Sequence, residues 1–284
     1  MNNLGNPKQI QELIRTHQFS VQKKFGQNFL VDANILGGIV EAAGVTKQDT
    51  VLEIGPGMGS LTEPLLAAAE QVIAVEVDPL LIPILKENLK EYENLTLIRG
   101  DVLKLDLNTI LPAGKKVKVV ANLPYYITTP IVMQLLEKQE QIESITVMVQ
   151  KEVAQRMQEG PGTKAYGALS LAVQYYASPQ LVMTVSRHCF LPKPDVDSAV
   201  IRLNIYAPEE RPVRVKDEAF LFRLIRAAFN QRRKTLLNAL QNDAGTKIPK
   251  EKTLEALEKM GKPETIRGEA LTLSEFGMLS DLLA

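Results

Sequence analysis

From residue 50 onward the chain alternates short apolar runs with longer amphipathic stretches. Thr50–Ile54, Gln71–Val77, Leu95–Ile98, Val117–Ala121 and Ser144–Val149 are short enough, and apolar enough, to read as buried strands. Ser60–Ala69 and Pro79–Lys90 carry helical periodicity between them, and Asp32 or Asn34 can cap an earlier helix running to about Ala43. This order predicts a doubly wound α/β fold with a mostly parallel sheet. Two further strands, near Leu181–Ser186 and Ser198–Tyr206, are separated by residues 187–197. That connection is too short for a parallel crossover, so the pair is expected as an antiparallel hairpin.

The pattern changes at both ends. Residues 1–27 read as an N-terminal arm with a helix over Pro7–Gln18, followed by Lys23 and Lys24. Residues 28–206 form the expected α/β domain. Ala207–Val215 (APEERPVRV) reads as a linker, and 216–284 as a small all-α domain. Within it, Phe220, Leu221, Leu224, Ile225, Ala228 and Phe229 share one helical face. The periodicity predicts one long helix over Asp217–Leu240, with Arg223, Arg226 and Arg233 roughly opposite that face.

Composition narrows the class. The 284 residues are 45% hydrophobic and 23% charged, an ordinary globular balance. A single Cys189 excludes an internal disulfide and suits a reducing compartment. His17 and His188 are far apart, so a zinc site is not expected. No apolar run approaches the roughly 20 residues of a membrane span. The N-terminus lacks a signal-peptide pattern, which points to the cytoplasm. Net charge is +0, but residues 211–250 hold ten Lys/Arg against three Asp/Glu. Residues 251–284 hold four against seven. Such segregation can build a local attractive field on a neutral protein.

The candidate chemistry sits at strand ends, where open α/β sheets bind ligands. Asn122-Leu123-Pro124-Tyr125 follows the fourth strand. It is either a plain strand-to-turn exit or a grip on the exocyclic amine of a planar base. In the second reading the Asn122 amide oxygen and the Leu123 carbonyl accept the amine's two N–H bonds. Tyr125 stacks on the ring, leaving Tyr126 to pack inward. Phe190, in the proline-stiffened Phe190–Ser198 loop, is either a second stacking wall or a core aromatic. Such a reaction is a direct displacement, needing neither metal nor covalent enzyme intermediate.

A second constellation follows the first strand. Gly55, Gly57 and Gly59 let the backbone turn tightly against a ligand. A dinucleotide fingerprint would need Gly or Ala at position 60, where Ser60 stands. Preceded by Glu53, the run looks more like the S-adenosylmethionine loop of class I (Rossmann-like) methyltransferases. Glu76, 21 residues after Gly55, is either a ribose acceptor or a solvated strand-end charge. Asp101 is either an acceptor for an adenine amino group or a turn former after Gly100.

These residues resemble one family along nearly the whole chain. Gly26–Leu30, Glu53–Gly57, Glu76-Val77-Asp78, Gly100-Asp101, Asn122–Tyr125, Phe190–Ser198 and Phe229–Thr235 are similar, in order, to the motifs of the ribosomal RNA adenine dimethyltransferases. Leu123 and the Tyr126–Pro130 continuation favour the small-subunit branch. The resemblance implies S-adenosylmethionine as donor, leaving S-adenosylhomocysteine, held by Asn28, Leu30, Gly55, Glu76, Asp101 and Asn122, to which the glycine turn adds Gly57. It implies dimethylation of the N6 atoms of two adjacent adenosines in a 3′-terminal hairpin loop of 16S rRNA, in the immature small subunit. A monomer is expected, with no membrane partner. Lys23, Lys24, Arg232, Arg233 and Lys234 are candidates for RNA contact, and the Gly160–Gly167 loop, with Lys151, Arg156 and Lys164 nearby, is a second candidate region. Arg223 and Arg226 can equally be a solvated face. The competing readings are a large-subunit rRNA methylase, a mainly non-catalytic assembly or nucleic-acid-binding factor, and a nicotinamide-dependent dehydrogenase.

Overall fold

The computed structural model describes residues 4–22 and 25–284. The chain divides into two compact units, one of residues 1–154 and 180–205, the other of residues 155–179 and 206–284. This division does not run in sequence order as the contiguous domains above do. Residues 155–179 belong with the C-terminal helices, and the arm belongs with the sheet.

The first unit is built on a seven-stranded sheet. Its strands are β2 (Thr50–Ile54), β3 (Gln71–Glu76), β4 (Leu95–Arg99), β5 (Val117–Asn122), β6 (Ile142–Gln150), β7 (Ala177–Val185) and β9 (Ser198–Ile205). Their spatial order is β4-β3-β2-β5-β6-β9-β7. Pairing from β4 across to β6 is parallel, whereas β9 runs antiparallel to β6. Every residue of β2 is buried, as are all but one in β3 and in β5. Strands covered on both faces need near-continuous apolar runs, which is why they read clearly in the sequence. The chain moves outward from β2 through β3 to β4, then returns beside β2 as β5. The carboxyl ends of β2 and β5 therefore flank a topological switch point, where a crevice opens.

Helices α2 (Ala33–Ala43), α3 (Thr62–Ala68), α4 (Leu81–Asn88) and α6 (Thr128–Glu137) accompany these strands. Asp32 caps α2 through its carboxylate, which accepts from the N–H groups of Asn34 and Ile35. The arm is integral to this unit. Its helix α1 (Pro7–Thr16) buries Ile10 completely, and Leu4 just before it is also fully buried. Ser60 Oγ donates to the Leu4 carbonyl at 2.8 Å, and the Leu4 N–H donates to Glu63 at 3.2 Å. The hydroxyl that breaks the dinucleotide pattern thus fastens the arm behind the glycine turn. A two-stranded pair, β1 (Phe29–Leu30) with β8 (Phe190–Leu191), ties the arm to the loop before β9.

In the second unit, α9 (Glu218–Asn230) and α10 (Leu236–Asn242) replace the single helix expected over Asp217–Leu240. No Gly or Pro marks the break. Arg232 donates to Glu269 at 2.9 Å and to the Thr163 carbonyl at 3.0 Å. The Leu236 N–H donates to the Ile266 carbonyl at 2.8 Å. The Ile266 carbonyl thus takes a backbone N–H that a continuous helix would have kept, and the helix is broken before Leu236, so Arg233 does not share a helical face with Arg223 and Arg226. The strand expected over Leu181–Ser186 begins four residues earlier, at Ala177, directly after α8 (Ala168–Tyr176). Among the described residues no helix is long and apolar enough to cross a membrane.

Candidate functional site

A cleft opens at the carboxyl ends of β2 and β5. It is walled by the segment 25–30, the turn 55–58, Glu53, Ser60, Glu76 and the run 122–125. Beside it lies a second opening, lined by Asp101, Val102, Tyr126, Ile127 and neighbours. Phe25, Gly55, Val77 and Pro124 line both. The glycine turn and the Asn122–Tyr125 run, far apart in sequence, thus face one space.

The turn after β2 requires glycine. Gly55 and Gly57 have φ of +71° and +61°. A Cβ at Gly57 would sit 3.1 Å from the Phe29 ring, whereas one at Gly55 would meet nothing within 4 Å. The open space at Gly55 lets a ligand reach the backbone directly. Glu76 closes the turn from β3: its carboxylate accepts from the Gly57 N–H at 3.1 Å and the Asp78 N–H at 2.8 Å. It is nearly fully buried, so it is not the solvated strand-end charge of the alternative reading. Burial pushes Glu76 up to about 7, with the Asp78 charge adding and its N–H bonds opposing. Glu53, wholly buried beside it, is pushed to about 8 by desolvation and by the Glu76 charge. The nearby Thr62 hydroxyl pulls the other way. Glu53 Oε2 has no hydrogen-bond partner among the described residues.

The segment 25–30 covers the cleft from the arm. Gln27 holds it in place: its Nε2 donates to Asp78 at 2.8 Å and its Oε1 accepts from the Gln22 N–H at 2.8 Å. Across the cleft, Asn122 Nδ2 donates to the Asn28 carbonyl at 3.0 Å. That bond orients the amide, leaving Oδ1 as the atom with spare acceptor capacity. The Leu123 N–H donates to Met148 at 3.1 Å, while its carbonyl accepts no hydrogen bond among the described residues. Two acceptors therefore stand side by side at the end of β5. Tyr125, in a short 3-10 turn, is half-buried, and its hydroxyl lies 2.7 Å from Ser198 Oγ.

Asn28, Leu30, Gly55, Gly57, Glu76, Asn122, Leu123 and Tyr125 thus line one cleft. Asp101 lies in the adjoining opening, where it also forms its turn by accepting from the Leu103 N–H at 3.1 Å. Phe190 lines neither opening. It is 4% exposed, paired with Leu30 and packed in the apolar core, so the core alternative describes it. Tyr126 is 57% exposed and lines the second opening instead of packing inward. Of the basic candidates, Arg232 is tied to Glu269, whereas Arg233 and Lys234 are exposed. Lys23 and Lys24 lie outside the described residues, and the Gly160–Gly167 loop belongs to the second unit. Gln27 had no assigned role, and Glu53, two residues before Gly55, entered only as the acid that marks the glycine loop.

The chain matches the family model described as ribosomal RNA adenine dimethylase over residues 18–270. It is 56% identical over 284 residues to the ribosomal RNA small subunit methyltransferase A of Lachnoclostridium phytofermentans, covering 99% of this chain and 97% of that protein. Among solved structures it is similar to a dimethyladenosine transferase from Plasmodium falciparum, at TM-score 0.70 and 28% identity over 87% of this chain and 94% of that one. The 23S rRNA methyltransferase ErmE gives TM-score 0.67 at 28% identity, over 90% of this chain and 99% of that one.

Proposed function

Because the chain belongs to the ribosomal RNA adenine dimethylase family, we propose that it dimethylates the N6 atoms of two adjacent adenosines in a 3′-terminal hairpin loop of small-subunit rRNA. It acts, as a monomer, on the immature subunit. The observation that carries this reading is the pair of acceptors at Asn122 Oδ1 and the Leu123 carbonyl, on the same cleft as the glycine turn.

S-adenosylmethionine, when bound, supplies an electrophilic methyl on a sulfonium. Its nucleoside suits the residues present. Glu76 would accept from the ribose hydroxyls and Asp101 from the adenine amine, and the open backbone at Gly55 would leave room for the methionine part. Asn28 and Leu30 close the arm side, and Gly57 keeps the turn tight against Phe29. On the target side, Asn122 Oδ1 and the Leu123 carbonyl accept the two N–H bonds of an adenine amine. The amine nitrogen is thereby drawn toward a tetrahedral shape, and its lone pair is withdrawn from the ring. Tyr125 stacks on the extruded base, worth on the order of 1–3 kcal/mol, against the few kcal/mol that extrusion costs. Holding both reactants in line can supply about 7–11 kcal/mol of the barrier. Arg233 and Lys234 offer charge to RNA phosphates.

The test incubates the protein with labelled S-adenosylmethionine and immature small subunits from a strain lacking the modification. Dimethyladenosine in that RNA is expected, and Asn122→Ala should abolish it. Label entering large-subunit RNA instead would transfer the reading to that substrate. No label in either, with an active control enzyme, would overturn it.

A further inference from the structure

The Phe190–Ser198 loop ends in a fastening that reaches the target side of the cleft. Ser198 opens β9, paired with Gln150 of β6, and is fully buried. Its hydroxyl lies 2.7 Å from the hydroxyl of Tyr125, 73 residues away in sequence. The backbone that presents it is held on both sides. The Asp197 carbonyl accepts from the Lys151 N–H at 3.1 Å, and the Asp197 carboxylate accepts from the Arg187 N–H at 2.9 Å. The Arg187 guanidinium donates to the Asp195 carbonyl at 3.0 Å. A buried hydroxyl on a braced strand is a poor place for a spare polar group, because burial without a partner is costly. Here the partner is the polar tip of an otherwise mobile ring.

We propose that Ser198 is a positioning residue: its hydroxyl fixes where the Tyr125 ring stands, and so the place of the base stacked on it. A tyrosine side chain turns about two bonds. The hydrogen bond at the far end of the ring restrains the first, which swings the whole ring; the hydroxyl oxygen lies on the axis of the second, where packing around the ring sets its plane. Without that hydrogen bond, the half-buried ring samples positions in which a stacked adenine no longer presents its amine squarely to Asn122 Oδ1 and the Leu123 carbonyl. Small misplacements of a reacting group carry large rate penalties. The inference also gives the loop a task that Phe190, buried in the core, does not perform in this structure. It rests on the reading of Tyr125 as the wall for the target base.

The experiment compares Ser198→Ala, Ser198→Thr, Tyr125→Phe and the Ser198→Ala/Tyr125→Phe double variant. Rates are measured on immature small subunits with saturating S-adenosylmethionine. Ser198→Ala and Tyr125→Phe should each lower kcat about tenfold, the order expected for loss of one well-made hydrogen bond. KM for the subunit should stay within twofold, and so should the affinity for S-adenosylhomocysteine. Ser198→Thr, which keeps the hydroxyl, should recover most of the rate, and the double variant should be no slower than either single one. Additive losses, or a wild-type kcat in Tyr125→Phe, would overturn the inference. Tyr125→Phe breaks the same bond without touching β9, so a misfolded Ser198→Ala leaves the test intact. Tyr125→Ala separates the two claims. If it keeps full activity, the wall reading itself fails; if it is inactive while Ser198→Ala is normal, the positioning claim alone fails.

Discussion

Glu76 offers the sharpest quantitative test of the cofactor pocket. Its carboxyl is pushed up to about 7 because burial outweighs the two N–H bonds it accepts. A ribose whose hydroxyls donate to Glu76 needs the ionised form. With a pKa of about 7, roughly one tenth of the carboxyl is ionised at pH 6 and about nine tenths at pH 8. Apparent affinity scales with the competent fraction. Nucleoside binding should therefore tighten about tenfold between pH 6 and pH 8, or about 1.4 kcal/mol. The probe is 5′-methylthioadenosine, which carries the ribose and adenine but no amino-acid group that would itself titrate there. Calorimetry in two buffers of different ionisation heat should show about half a proton released per binding event at pH 7. Glu76→Gln should bind more weakly at pH 8, by about 10-fold or more, since a hydrogen bond to a charged acceptor contributes about 1.5–3 kcal/mol. Its affinity should also be flat across this range. A wild-type affinity independent of pH, with no buffer dependence of the heat, would refute the argument that Glu76 accepts from the ligand as a carboxylate.

Two further outcomes are expected. Glu53, wholly buried and raised to about 8, keeps its proton in the folded state but ionises near 4.5 when unfolded. Its contribution is therefore complete below pH 4.5 and is lost as pH climbs to 8, with a slope of at most about 1.4 kcal/mol per pH unit. Glu53→Gln should flatten the decline of urea-unfolding free energy over this window, and parallel profiles for the two proteins would contradict it. Leu4 is fully buried against Gly59 and Leu89, so Leu4→Ala should cost about 2–5 kcal/mol of stability. It should also weaken S-adenosylhomocysteine binding, because Leu4 backs the glycine turn; an unchanged denaturation midpoint would show that the arm is not part of that core.

The parts of this protein readable from residue order share one physical character: their interactions are local or periodic. Strands buried on both faces must be continuously apolar, so Thr50–Ile54 and Val117–Ala121 announce themselves. A backbone that turns at positive φ demands glycine, so Gly55 and Gly57 do too. Acids and amides placed one after each strand identify the edge where ligands bind, because strand alternation alone brings those ends together. Residue order could not decide which of two admissible packings a side chain adopts. Phe190 suits a stacking wall as well as a core, and the pairing of Phe190–Leu191 with Phe29–Leu30 turns it inward. An amphipathic repeat over Asp217–Leu240 is compatible with one helix, yet the Ile266 carbonyl lies where it takes the Leu236 N–H of a broken one, and Glu269 and Thr163 hold the Arg232 side chain at the break. Ser60 looked only like a departure from a nucleotide motif until Leu4, 56 residues earlier, supplied its acceptor. Long-range hydrogen bonds and core volume set these outcomes. They depend on which surfaces meet in three dimensions, a relation that no periodicity along the chain encodes.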